Sequence, residues 1–200
     1  GQHYDKEMSQ IFFDELKIMP PKYNLEVHEK NQGIMTSKMI IKLEKVILKE
    51  RPEWIIVFGD TTSTLAGAIV ANKLNIKLAH IESGMRSYNK KMPEEINRII
   101  TDRLSNVLFC SSKISKQNLI SENYNTKDYK ILNVGDVMFD SILHFKKFSK
   151  KPAIENKNNF VLATIHRSEN VSNPNILKNI FQSLSQISSD IQVIMPIHPN

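Results

Sequence analysis

Short apolar runs rich in β-branched residues recur along this chain, and each leads into a segment with helical periodicity. "RPEWIIVFGD", "IKLAHIES", "NVLFCS" and "YKILNVG" read as strands; "STLAGAIVANKL", "MPEEINRIITDRLS", "KISKQNLISEN" and "VMFDSILHFKKF" read as the helices that follow them. Upstream, "SQIFFDEL" reads as a short helix. "GIMTSKMIIKLEKVILKE" reads as a longer one, with Met39, Ile40, Leu43, Val46 and Ile47 on one face. Strands alternating with helices pair in parallel through crossovers, so the expected fold class is α/β: a doubly wound, Rossmann-like parallel sheet with buried strands. The polar stretch "KKPAIENKNN", residues 150–159, reads as a linker. It divides an N-terminal domain, residues 1–149, from the start of a second α/β domain, residues 160–200 ("FVLATIH", "NPNILKNIFQSLSQI", "IQVIMPIHPN").

Composition excludes several classes. With 200 residues, 40% of them hydrophobic, the chain can bury one or two real cores. No run approaches the roughly 18 apolar residues of a membrane helix. "GQHYDKEMSQ" has neither the basic nor the apolar region of a signal peptide, and its start on Gly1 rather than methionine points to a processed or truncated chain. The single cysteine, Cys110, lies in an apolar strand, where a buried thiol is expected; one cysteine permits no intrachain disulfide and suits a reducing cytoplasm. The formal charge is +6, yet the lysines are scattered apart from "HFKKFSKKP", and no basic platform interleaved with aromatics offers itself to nucleic acid.

In parallel sheets, ligands bind beyond the carboxyl ends of the strands. Asp60, His80, Glu82, His166 and Arg167 all fall near such ends. Each has a second reading. Asp60 can cap the helix that begins in "TTSTLAG", and His80 can be a satisfied buried histidine. Glu94 and Glu95 can simply complement the helix dipole. Glu94, Arg98 and Asp102, spaced by four, can form a surface ladder while Ile96, Ile99, Ile100 and Leu104 face the core. "GDTTST" offers hydroxyls and helix-start amides to a phosphate or sugar, but neither a P-loop nor a "GxGxxG" is present, and no cluster has zinc-ligand spacing.

Taken in order, "GQHYDKEM", "GDTTSTLAGAIVANKL", "AHIESGMRS", "MPEEINRIITDRLS", "VGDVMFDS" and "TIHRSEN" resemble the non-hydrolysing UDP-N-acetylglucosamine 2-epimerase family, including its UDP-2,3-diacetamido-glucuronate branch. The resemblance implies a glycosyltransferase-B-like fold of two Rossmann-like halves, a UDP-sugar substrate, no cofactor or metal, a cytoplasmic homodimer, and a role in supplying bacterial surface polysaccharide precursors. It maps an acidic triad onto Asp60, Glu82 and Glu94 and a catalytic histidine onto His166. Substrate-binding or supporting positions map onto His80, Arg98, Arg167 and Glu169, with Gln2 and His3 in a region that serves a second, regulatory site in some members. Ser83, Met85 and Ser168 depart from the commonest family motifs. Family chains also carry an upstream strand and the rest of a second domain, so these 200 residues alone are expected to turn over little or no substrate.

The implied reaction inverts C2 by eliminating UDP to a 2-acetamidoglucal and adding it back. The C2 hydrogen is not acidic until the neighbouring carbon–oxygen bond loosens, so the site needs a base, an acid and groups that stabilise charge. A hydrolysing epimerase, a glycosyltransferase of the same fold and a non-catalytic nucleotide-sugar-binding domain are the competing readings.

Overall fold

The computed structural model describes residues 9–124, 127–154, 159–165 and 168–196. They fall into two units, Gly1–Lys147 and Phe148–Asn200.

In the first unit, α1 (Gln10–Leu16) and α2 (Gln32–Glu50) precede a four-stranded parallel sheet. The sheet consists of β1 (Trp54–Phe58), β2 (Lys77–Ser83), β3 (Val107–Cys110) and β4 (Lys130–Asn133), linked by α3 (Thr62–Lys73), α4 (Pro93–Leu104) and α5 (Lys113–Ser121), with α6 (Val137–Phe145) after β4. The strands stand in chain order, β1-β2-β3-β4. Ile55 pairs with Leu78, Val57 with His80 and His80 with Leu108, so these side chains share one face. Residues of α3, α4 and α5 cover that face: Ala68, Ala71 and Leu104 against Val57 and Leu78, and Leu119 against Leu108, Cys110 and Ile131.

Double winding requires the strand order to reverse, and no reversal occurs among the described strands. The expectation that "WIIVF" is a buried strand is met on one face alone. β1 ends the sheet order, only Val57 is buried in it, and Trp54, Ile56 and Phe58 are exposed on the other face.

Helix α3 is almost featureless in amphipathic terms because it is enclosed: Ala66, Gly67, Ala68, Val70 and Ala71 are all buried. Small residues let it lie close to the sheet; a Cβ on Gly67 would come 3.0 Å from Val57 Cγ1. Helix α2 packs outside it through Met39 and Ile47, the former clustered with Val27 and Ala66. Leu78, Leu108 and Leu119 are fully buried, each contributing about 1.5–3 kcal/mol by leaving water.

The second unit holds β5 (Phe160–Leu162), α7 (Ser168–Val171), α8 (Pro174–Ser188) and β6 (Gln192–Ile194), with β5 and β6 parallel. Asn173 caps α8 by accepting from the amides of Asn175 and Ile176, and Pro174 opens its first turn. β5 stops at Leu162, short of the strand read through His166.

Candidate active site

Two departures from regular geometry shape the carboxyl edge of the sheet. The first is a bulge in β2. Ile81 pairs with Phe109 but Ser83, not Glu82, pairs with Cys110, so Glu82 is the extra residue, and its φ is +69°. A bulge re-aims a side chain. Without it Glu82 would continue the His80 face; instead Ser83 takes that place, buried, with its hydroxyl 3.6 Å from the Cys110 thiol. Cys110 is the expected buried thiol, and burial pushes its titration up.

The second departure is Gly59, which follows β1 at φ +63°. A Cβ there would stand 3.1 Å from Glu82 Oε2, so the glycine allows the carboxyl to lie against the β1–α3 loop. Asp60 is the next residue. It is not the cap of α3: Thr61 is, accepting from the Thr64 amide. Asp60 instead receives two N–H groups of Arg98 on Oδ2, at 3.0 Å and 2.6 Å, and its carbonyl accepts from Asn97 Nδ2 at 2.8 Å. The start of α4 is thus fastened to the end of β1.

The two carboxyls are held in unlike states. Asp60 is ion-paired. Among the described residues, no hydrogen bond or ion pair reaches the Glu82 carboxyl. Burial pushes its pKa above the usual glutamate range, and the nearby charges of Asp136 and Asp60 push the same way, against His80 and Arg98. Asp136 caps α6. Glu94 is exposed in the first turn of α4, one turn before Arg98 on the same stripe of the helix.

Helix α4 turns a polar face inward: Glu95, Asn97, Thr101 and Asp102 are buried, whereas Ile96 and Ile100 are exposed. This corrects the ladder and, at Ile96 and Ile100, the apolar face, while Leu104 packs on the core as expected. Arg98 pairs with Asp60 and with Glu95 Oε2 at 3.1 Å. Glu95 accepts from the amides of Ser87 and Tyr88, each at 2.9 Å, closing the loop after β2 over the helix start.

Burial alone would raise the Glu95 pKa; those amides and Arg98 outweigh it and hold the carboxyl below its usual range. A depressed carboxylate stabilises the fold above the unfolded value of about 4.3, and that contribution is lost as pH falls through the folded pKa. Glu95→Gln is therefore expected to lower unfolding free energy by about 2 kcal/mol at pH 7. Urea unfolding at a series of pH values should show the gap to wild type shrinking below about pH 4.

The expectation that His80 touches substrate is also corrected. It is fully buried, Nδ1 donating to Asp102 Oδ1 at 2.6 Å and Nε2 to the Gly59 carbonyl at 2.8 Å, so neither nitrogen remains for a ligand. Asp102 Oδ2 accepts from the Gly84 amide at 3.1 Å and from Arg86 Nη1 at 2.7 Å. Arg86 also grips Glu122 through Nε and Nη2, at 2.7 Å and 2.9 Å. Sequence reasoning assigned nothing to Arg86, Asn97 or Asp136, gave Glu95 only a helix-dipole role, and gave Asp102 only a place on a surface ladder. The one local signal was that Asn97 and Asp102 interrupt the apolar spacing of α4.

Gln2, His3, His166 and Arg167 lie outside the described residues, as does the side chain of Glu169. The "GDTTST" hydroxyls are largely engaged within the fold, Thr62 with Gln32 and Thr64 with the Phe58 carbonyl. A cavity of about 620 Å³ between β1, α2 and residues 20–27 reaches Thr61 and Thr64, but Asp60, Glu82 and Arg98 do not line it. Its apolar walls carry none of these charges. Among the described residues, no group of three or more His, Cys, Asp or Glu side chains is placed to hold a metal ion, and no helix is long and apolar enough to cross a membrane.

A family model described as UDP-N-acetylglucosamine 2-epimerase matches residues 1–200. The UDP-2,3-diacetamido-2,3-dideoxy-D-glucuronate 2-epimerase of Pseudomonas aeruginosa is 47% identical over 201 residues, covering 100% of this chain and 57% of that protein. A crystal structure of Methanocaldococcus jannaschii UDP-GlcNAc 2-epimerase in complex with UDP-GlcNAc and UDP is 42% identical, with a TM-score of 0.89, and covers 100% of this chain and 57% of that one. The Neisseria meningitidis UDP-GlcNAc 2-epimerase bound to UDP-GlcNAc matches at 28% identity and a TM-score of 0.82, over 98% of this chain and 56% of that one. The chain spans little more than half the length of these relatives, and shares with them the α/β, parallel-sheet class read from its sequence.

Proposed function

Because the chain belongs to the UDP-N-acetylglucosamine 2-epimerase family, we propose that it serves the inversion of C2 in a UDP-activated N-acetylhexosamine, UDP-GlcNAc to UDP-ManNAc, by elimination and re-addition of UDP. The observation that carries this reading is the pair of unlike carboxyls at one sheet edge: Asp60 tied to Arg98, and Glu82 against Gly59 with its pKa raised. Acid–base chemistry at one carbon needs such a difference.

As the C1–O bond to the diphosphate loosens, positive charge at C1 acidifies the C2 hydrogen. Asp60 takes that proton, the C1–C2 double bond forms, and UDP leaves with the bonding electrons. In the return step Glu82 gives its proton to C2, and a diphosphate oxygen re-forms the bond to C1. Running the reaction backwards exchanges the two roles. Arg98 keeps Asp60 aimed and adds positive charge at the same edge, and Glu94 completes the acidic triad from the start of α4. His80 supports the site from within. His166 with Arg167 and Glu169, and Gln2 with His3, enter this reading through the family resemblance alone, as do the homodimer, the cytoplasm and the supply of surface polysaccharide precursors.

A second reading, the UDP-2,3-diacetamido-glucuronate branch, is favoured by the 47% identity to the Pseudomonas aeruginosa relative. Incubation of an intact-length version of the protein with each UDP-sugar in deuterated water tests both. The expected result is deuterium at C2 with UDP still attached to the product. Conversion without label would overturn the elimination, and release of free N-acetylmannosamine would indicate hydrolysis.

A further inference from the structure

Glu82 stands in a conformation that its neighbours must enforce. A non-glycine residue at positive φ costs on the order of 1–3 kcal/mol and persists only where the surroundings over-determine it, and here it coincides with the bulge in β2. The residues on either side of it are held by one side chain. The Asp102 carboxylate accepts from His80 two residues before Glu82, from the Gly84 amide two residues after it, and from Arg86 four residues after it. Asp102 is itself fully buried and projects from α4, the helix whose Arg98 holds Asp60. The upstream arm goes further, since His80 passes on to the Gly59 carbonyl, the backbone beside which the Glu82 carboxyl rests.

We propose that Asp102 is the positioning residue for Glu82, a single buried carboxylate that clamps the β2 bulge from both sides and so aims the Glu82 side chain into the site. This rests on the C2-inversion reading for its consequence in rate, but the clamp itself is a property of the folded chain. Asparagine can keep it. Its oxygen serves Gly84 and Arg86 while its amide donates to His80 Nδ1, and His80 still donates from Nε2 to Gly59. Alanine cannot.

The test follows the Glu82 carboxyl directly, by carbon-13 NMR titration of the protein with labelled glutamate, the resonance being assigned with Glu82→Gln. The groups facing Glu82 are Asp136, Asp60, His80 and Arg98. In wild type the midpoint is expected above the usual glutamate range. In Asp102→Ala it is expected to fall toward that range as the side chain is released to water. In the C2 exchange assay, kcat should fall about 10²-fold, as for a misplaced catalytic group, with KM little changed. Asp102→Asn should restore both. A folded Asp102→Ala protein with an unmoved Glu82 midpoint would overturn the clamp, as would an Asp102→Asn protein as impaired as the alanine variant. Should Asp102→Ala not fold, His80→Asn, which gives up the upstream arm alone, decides by the same midpoint: loss of the His80 charge by itself would raise it, so a downward shift supports the clamp, and an upward shift or none overturns it. Absence of C2 exchange in wild type would count against the inversion reading only, leaving the titration result to stand.

Discussion

Replacing Gly84 by alanine is expected to lower the stability of the first unit by about 4 kcal/mol, the sum of backbone strain and overpacking. Gly84 has φ +77°, where an L side chain is strained whatever the space. The space is also missing. A Cβ would collide with the Ser115 carbonyl oxygen, come within 2.8 Å of the Ser115 carbonyl carbon, and lie 3.0 Å from Leu119 Cγ. The first two are backbone atoms, which cannot swing aside as a side chain can. Ser115 belongs to α5, and Asn118 of the same helix donates to the Gly84 carbonyl at 3.0 Å, so relief of the clash must move that helix. Thermal unfolding should show the midpoint of the first unit lowered by roughly 10 °C. An alanine variant within about 2 °C of wild type would mean that α5 and the loop after β2 separate easily.

Glu82→Gln is expected to slow deuterium incorporation at C2 by about 10²–10⁴-fold, the range supplied by a positioned acid or base, while UDP-sugar binding stays within a few-fold. The pH dependence has a definite sign. As donor, Glu82 works in its protonated form, and its raised pKa extends that form upward in pH. The wild-type rate should therefore fall on the alkaline side as pH rises through that pKa. Stability should fall in the same direction. A carboxyl whose folded pKa is raised contributes stability below its unfolded pKa that is lost as pH rises through the folded one. Glutamine has no charge to desolvate, so at pH 7 Glu82→Gln should be at least as stable as wild type by urea unfolding. Lost exchange together with lowered stability would assign the effect to misfolding; exchange unchanged at full stability would remove Glu82 from the chemistry.

The elements of the first unit were legible from local pattern because each is set within a few residues. The β-branched runs of β1 to β4, Pro93 at the head of α4 and the small residues of α3 act on the backbone next to them. The same locality placed Asp60 and Glu82 at strand ends and marked Cys110 as a strand thiol. Side-chain partners were another matter. Spacing by four suggested that Arg98 joins Glu94 and Asp102, yet Arg98 found Asp60, 38 positions away, and Asp102 found His80, 22 positions away.

Local pattern was enough to set the alternation of strands and helices, and with it the edge to which the carboxyl groups would be delivered. What those groups became depended on packing across the fold. It turned the polar stripe of α4 inward, because the loop amides of Ser87 and Tyr88, with His80, Gly84 and Arg86, supply the partners that make buried Glu95 and Asp102 tolerable. It also set Glu82 apart from Asp60 by a bulge and by the lack of a partner among the described residues. Hydrogen bonds and desolvation depend on what lies across space, and residues far apart in the chain meet only after it folds.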